Sequence, residues 1–351
     1  MASGSAIVIV GVGARTPLGF SAAASAAAVR AGISGIQDHP YMIDRFGERM
    51  KVTRDVGVDA ALTGPDRAAA IAITPAFDAL APLRRAGQSV PVALIVSTGE
   101  SRPGQNKDFA ARTYAQLHGR LSQDVALAGG GSNAGGHAGG MLAIHHACRM
   151  LREDKAKFCL AGGVDTYLEP ETLEWLDEHE QLHSDENTYG FCPGEGAGFC
   201  LMTRQQTARE LGIEPLLKLV CTAIASEENR IKTQTVCLGE GLSTAFQLLF
   251  DDAPIDPVDR IICDMNGERY RGNEYGFAVL RNPGRFKNAA DFETPADCWG
   301  DVGAASGPLF VSLVAEAEVR GYRKGPLSLI WASSENGTRA AALLGGPRST
   351  R

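Results

Sequence analysis

His137 stands in the run GGGSNAGGHAGG, where Gly129, Gly130, Gly131, Gly135, Gly136, Gly139 and Gly140 remove the side chains that would hold other groups away. An imidazole placed there, just ahead of an apolar helix, can meet a ligand and act as a base near neutral pH. It can equally be a core histidine satisfied by backbone groups. The other histidines add no metal pattern, and the adjacent His145 and His146 point in different directions from a helix. Cys148, Cys159, Cys192, Cys200, Cys221, Cys237, Cys263 and Cys298 are scattered, mostly within apolar runs, which reads as small buried thiols. No metal or cofactor is expected. Gly11-Val12-Gly13 has Thr16 where a dinucleotide-binding turn needs a third glycine.

The elements that position His137 form one αβ unit. A glycine-rich turn opens at Gly129. Met141, Leu142, Ile144, Ala147, Cys148 and Leu151 then keep an apolar helical face, and Lys157–Ala161 reads as a buried strand. Upstream, Ala6–Val12 reads as a strand, Phe20–Arg30 as a helix and the stretch to Gly64 as irregular. Pro65 opens a helix to about Leu80, with Asp66 in its first turn, a kink at Pro75 and an end at Pro82. Val90–Val96 is a further strand and Asn106–His118 an amphipathic helix. Downstream come an acidic helix over Glu169–Glu180, a polar loop over His183–Gly190, and a glycine loop running into a strand over Phe191–Met202. A short helix from Gln205 closes at Gly212, a left-handed C-cap. A second series follows Pro215: strands at Leu216–Ala225, Ile261–Asp264 and Leu327–Ala332, helices at Gly241–Phe250 and Leu309–Val319. This rhythm indicates a layered α/β core, divided into residues 1–212 and 213–351.

With 351 residues, 44% hydrophobic and 21% charged, the chain has ordinary globular composition and enough length for two core-bearing halves. A net charge of −7 argues against a general nucleic-acid surface. No apolar run approaches a membrane span, and MASGSAIVIVGVG lacks a basic segment ahead of its apolar stretch. A cytoplasmic protein without a membrane span is therefore expected.

The order of turn, helix and strand around His137 resembles the nucleophile segment of the β-ketoacyl synthases, condensing enzymes with the thiolase fold. That family has a cysteine at the start of a buried helix, an arginine on the helix, and Ala-Gly-Gly ending the next strand. With Arg149 and Ala161-Gly162-Gly163 as anchors, the place of the cysteine falls on His137. IVIVGVGARTPLG resembles the family's N-terminal signature, and Gly194-Glu195-Gly196-Ala197-Gly198 its glycine-glutamate segment. Asp264-Met265-Asn266-Gly267 resembles the first histidine loop, with Asn266 at the histidine. Trp299–Gly307 resembles the second, with Asp301 at the histidine. Glu335, ahead of Asn336-Gly337-Thr338, stands where the family has a phenylalanine at its pocket gate.

The resemblance implies a thiolase-like α/β fold, with two similar halves forming a layered αβαβα core and meeting near Gly212. It implies a site at His137, Asn266 and Asp301, with Glu268, Gly300 and Glu335 around the pocket. It also implies a dimer through the strand Phe158–Ala161, either a homodimer or a heterodimer with an intact ketosynthase, and contact with an acyl carrier protein or acyl thioester. Arg149, Arg152, Lys155 and Lys157 are candidates for meeting an acidic carrier, or form a solvated charged face.

Decarboxylative condensation needs a thiolate to carry the acyl chain and imidazoles to assist at the developing charge. His137, Asn266 and Asp301 do not supply that set, so a non-catalytic subunit that binds acyl groups, a carrier or an active ketosynthase is expected. A second reading is an acyltransferase or other acyl-thioester enzyme, with His137 as base or acyl acceptor, Asn266 as oxyanion donor and Asp301 orienting. A third uses Cys192 or Cys298 as a displaced nucleophile. In purely structural terms, Asp301 caps the helix after it, and Glu195 and Glu268 pair with Arg269 or Arg271. Convergence of Asp301, Glu268 and Glu335 would make the pocket anionic and raise at least one carboxyl pKa.

Overall fold

A computed structural model describes residues 6–87, 89–253 and 256–347. Up to Gly212 the elements are β1 (Ile7–Arg15), α1 (Ala22–Arg30), β2 (Gln37–Ile43), β3 (Arg49–Val52), α2 (Gly64–Arg85), β4 (Val92–Thr98), α3 (Phe109–Leu121), β5 (Leu127–Ala134), α4 (Gly139–Arg152), β6 (Phe158–Thr166), α5 (Pro170–Glu178), β7 (Glu195–Arg204) and α6 (Gln205–Glu210). Beyond it lie β8 (Leu217–Ser226), α7 (Glu240–Asp252), β9 (Arg260–Cys263), α8 (Arg269–Arg281), β10 (Phe292–Glu293), α9 (Ala296–Trp299), α10 (Ser306–Val319), β11 (Leu327–Ser333) and β12 (Thr338–Gly345).

The main sheet runs β10-β9-β11-β12-β8-β1-β7-β6-β4-β5. Its two sides repeat one pattern. From the seam outward, β1-β7-β6-β4-β5 and β8-β12-β11-β9-β10 each place the first strand beside the last, then the fourth, second and third. In each, two antiparallel pairings are followed by two parallel ones. The two patterns meet where Ile7–Ile9 pair antiparallel with Leu217–Leu219. Gly212 lies in the link between them, at φ 63°.

Burial explains the layering. α2 and α3 cover one face of the first side, with Ile71, Leu80 and Leu117 sharing a cluster with Leu94 and Val96 of the sheet. α7 and α8 cover the outer face of the second side through Phe246, Leu249 and Tyr275. Between the two sides lie α4 and α10, whose Met141, Ile144, Leu309, Phe310 and Val314 share one cluster with strands of both. The succession is helices, sheet, helices, sheet, helices. α10 is buried almost all round, as a helix in a central layer must be.

Several expectations are corrected. The run opening at Gly129 is not a turn but part of the edge strand β5, where a partner on one side suffices and no large side chain is required. Phe158–Ala161 is no dimer edge, because β6 is paired to β4 on one side and β7 on the other. α2 continues through Pro82 to Arg85, held by the burial of Leu80 and Leu83. The stretch expected to be irregular contains the β2–β3 hairpin, and β11 is followed by a further strand, β12. Among the described residues no helix is long and apolar enough to cross a membrane.

Candidate functional site

His137 sits in the short connection between β5 and α4, and Asp301 between α9 and α10. Their meeting depends on two glycines. A Cβ on Gly140 would lie 2.4 Å from the carbonyl oxygen of Ala304, and one on Gly163 would lie 2.0 Å from the same atom. Only bare backbone lets the Gly303–Ala305 turn settle between α4 and β6. Asp301 is pinned from the other side, its N–H donating to Cys192 O (2.8 Å) while its carbonyl accepts from Gly194 N–H (2.9 Å). The start of α4 is tied down by Ser334, whose hydroxyl accepts from Ala138 N–H (2.8 Å) and donates to Gly135 O (2.7 Å).

The result is a buried ionic cluster. His137 Nε2 lies 2.9 and 2.8 Å from the two Asp301 carboxylate oxygens, 3.2 Å from Arg271 Nη2 and 3.4 Å from the Tyr167 hydroxyl. His137 is 4% exposed and Asp301 3%. Burial alone lowers the imidazole pKa and Arg271 opposes its charge, but Asp301 outweighs both and the pKa is raised. A protonated Nε2 donates to Asp301. Burial pushes the Asp301 carboxyl up, yet His137, Arg271 and the Gly303 N–H hold it well below the usual carboxylate range.

Asn266 uses its side-chain amide within the same cluster, donating to Asp301 Oδ2 (2.6 Å) and Glu268 Oε2 (3.1 Å). Glu268, ahead of α8, also accepts from the Tyr270 hydroxyl (2.7 Å) and pairs with Arg271 and with Lys232 (3.1 Å). Lys232 bridges onward to Glu335 at 2.5 Å. Asp301, Glu268 and Glu335 therefore converge, but the expected rise in a carboxyl pKa is corrected. Burial pushes Glu268 up, while Lys232 and Arg271 bring it net below its ordinary value. Gly300 lies off the cavity, packed where a Cβ would meet Thr53 Oγ1 at 2.3 Å. Glu195 pairs with Arg67 (2.6 Å), not with Arg269 or Arg271; Arg269 stacks on Tyr189.

Sequence reasoning missed Arg102, Tyr167, Lys232, Asp264 and the central role of Arg271. Arg102 forms a two-pronged pair with Asp165 (2.7 and 3.0 Å) and lies 3.6 Å over the Tyr167 ring. The space beside His137 is a cavity of about 50 Å³, lined by Arg102, Tyr167, Trp175, Phe191 and Glu335 among others.

The pair carries a pH signature. His137, with its pKa raised above 6.5, contributes stability in full below pH 6.5 and loses it as pH rises through the folded value. Asp301, depressed below 3.8, contributes in full above that pH and loses it as pH falls through its folded value. The stabilisation is therefore greatest between about pH 4 and 6.5. The denaturation midpoint of the wild type is expected to fall more steeply above pH 6.5 than that of His137→Gln. Parallel profiles would contradict the charged pair.

A sequence model of the family described as "Beta-ketoacyl synthase, N-terminal domain" matches residues 111–208. The non-reducing polyketide synthase pkdA of Emericella nidulans is 27% identical over 203 residues, 54% of this chain and 8% of that protein. Polyketide synthase PksN of Bacillus subtilis is 26% identical over 149 residues, 40% of this chain and 3% of that one. The chain thus spans less than a tenth of these curated relatives. Among solved structures, a type II ketosynthase in complex with its acyl-carrier protein, bound to a hexaketide, superposes with a TM-score of 0.79 at 15% identity, covering 97% of this chain and 99% of that one. The ishigamide ketosynthase/chain length factor gives a TM-score of 0.71 at 18% identity, with 97% and 99% covered. A ketosynthase from module 6 of the bacillaene synthase of Bacillus subtilis gives 0.79 at 16%, with 97% and 72% covered. Residues 111–208 thus resemble the N-terminal domain of the β-ketoacyl synthases, and the chain as a whole has the thiolase-like fold of these ketosynthases.

Proposed function

We propose that this chain is a non-condensing ketosynthase-like subunit that pairs with an active ketosynthase in polyketide- or fatty-acid-type metabolism. The observation that carries the reading is the state of His137. Where the resemblance calls for a thiolate, an imidazole is held on the Asp301 carboxylate beside a cavity of about 50 Å³. That space suits a water or two and not an acyl chain. Both side-chain amide protons of Asn266 are engaged by carboxylates, so it has none left for an oxyanion. Cys192 and Cys298 are buried, the Cys192 thiol being pushed up to about 12 by burial, which makes neither a ready thiolate.

An edge for assembly is present. β5 is the outermost strand on its side and largely exposed. A groove of about 450 Å³ beside it is lined by Asn133, His146, Arg149, Met150 and Lys155. Glu153 pairs with both Arg149 and Lys155, so this surface is less basic than its sequence suggests and suits a mixed protein seam better than an acidic carrier. The ketosynthase/chain length factor among the structural neighbours is compatible with pairing of this kind.

Intact-protein mass spectrometry after incubation with acyl-carrier thioesters and acyl-coenzyme A tests the chemical half of the reading. No adduct is expected on the wild type or on His137→Ala. An adduct present on the wild type and absent from the variant would establish acyl transfer through His137 instead. Co-expression with candidate ketosynthases tests the other half. Co-elution is expected, lost when Ser132→Arg and Asn133→Arg are introduced together on β5; co-elution that survives this change would place the seam elsewhere.

A further inference from the structure

A second set of chemically able side chains lies away from His137. Glu227 follows β8, Cys237 stands near the end of the loop that follows, and Glu274 lies on α8. One ligand atom from each falls within 4.8 Å of the other two. Glu227 and Glu274 are 1% and 0% exposed. Cys237 is the one cysteine that is not fully buried, the other seven being packed in the interior. Glu274 Oε1 accepts from Arg339 and lies 3.9 Å from Cys237 Sγ. Its second oxygen, Oε2, is fully buried with no hydrogen-bond partner among the described residues. An orphaned carboxylate oxygen is costly in the interior and calls for a ligand.

We propose that Glu227, Cys237 and Glu274 bind a divalent cation of the borderline class, of which zinc is the representative. The charge fits: two carboxylates and a thiolate, less the adjoining Arg339 guanidinium, leave two negative charges for the ion to neutralise. The donor set fits as well. One thiolate and two carboxylates suit zinc, whose ligands at ~2.0–2.3 Å stand roughly 3.3–3.8 Å apart in a tetrahedron. The three side chains need to close by roughly an ångström. The fourth position is left for water; Ser333 and Arg339, both buried beside Glu274, keep Oγ and Nη2 without partners among the described residues. Glu227 is already fixed by Asn229 N–H (3.2 Å) and Gly241 N–H (2.8 Å), the orienting bonds that a ligating carboxylate needs.

The site has a structural consequence. Lys232 lies midway along the chain between Glu227 and Cys237, and its ammonium reaches Gln181, Glu335 and Glu268 at the mouth of the His137 cavity. An ion held by Glu227 and Cys237 fastens both ends of the loop that carries this lysine. Metal occupancy thereby sets how firmly the mouth is closed.

The test uses the full chain, stripped with a chelator and titrated with Zn²⁺ against a chromogenic competitor, with Co²⁺ as a spectroscopic probe. One ion per chain is expected, with a thiolate-to-Co²⁺ charge-transfer band. Zn²⁺ is expected to protect Cys237 from alkylation and to slow hydrogen exchange across residues 228–238. Cys237→Ser should abolish the band and weaken Zn²⁺ binding by roughly tenfold or more. Glu274→Gln should weaken binding too, and Glu227→Gln serves where that variant does not fold. Sub-stoichiometric binding, a Co²⁺ spectrum without thiolate character, or a Cys237→Ser protein that binds Zn²⁺ as tightly as the wild type would each overturn the site.

Discussion

Arg271→Leu is expected to lower the unfolding free energy by about 3–5 kcal/mol, as the removal of one partner from a buried ionic group does. Arg271 is fully buried on α8. Its guanidinium donates to Asp264 Oδ2 (2.8 Å) and to Ser333 O (3.0 Å), and pairs with Glu268. Without it the Asp264 and Glu268 carboxylates stay in the interior with their chief counter-charge gone. Asp264 Oδ1 already lacks a partner among the described residues. Arg271→Lys keeps the charge but not the planar fork, and should recover only part of the loss. Denaturant unfolding at pH 7 gives the value, and a loss below about 1 kcal/mol would mean that the cluster relaxes or takes in water. A side effect follows from the contact with His137. Arg271 opposes the imidazolium, so its removal should raise the His137 pKa further, which NMR titration would read.

Glu195→Ala is expected to have an effect of similar size, about 3–5 kcal/mol, without touching the His137 cluster directly. Glu195, at the start of β7, accepts from Arg67 Nε and Nη2 (2.7 and 2.6 Å), Asp55 N–H (2.8 Å) and Thr166 Oγ1 (3.0 Å). It thereby joins α2, the β3–α2 connection and the end of β6. The substitution strands a guanidinium that is only 7% exposed. Leucine at both 67 and 195 should recover much of the stability, because the desolvated charges leave together. A double variant no better than Glu195→Ala would show that the bonds from Asp55 and Thr166 carry the effect.

What the sequence allowed and what it hid have separate physical causes. Val92–Thr98 was legible as a short apolar run buried on both faces, and Gly139–Arg152 because one face of the helix packs against the core and imposes a period. β5 was read as a turn because an edge strand of LAGGGSNA carries almost no packing signal. β2 was missed because QDHPYMI is polar and contains a proline. β12 escaped because its alanines are strand residues only by virtue of lying between β11 and β8. The meeting of His137, Asn266 and Asp301 was anticipated from the family resemblance, since no local pattern links residues so far apart. Arg271, Lys232 and Arg102 were invisible as site residues, because a single arginine or lysine in a polar stretch looks like solvated surface. Glu227, Cys237 and Glu274 lie in three different elements, and their spacing matches no ligand motif.

The interlocked strand order has a consequence for how the protein is made. β1 gains β7 on one side and is paired on the other only when β8 arrives, and the inner face of β1-β7-β6-β4-β5 is covered in part by α10, which belongs to the second series. During synthesis the residues up to the end of β7 at Arg204 therefore emerge with a broad apolar surface that waits for Ser306–Val319. Contacts so distant in the chain form slowly, and an exposed sheet face is prone to aggregate meanwhile. Recombinant yield should accordingly depend on chaperone capacity and on translation rate more than on the stability of the finished molecule.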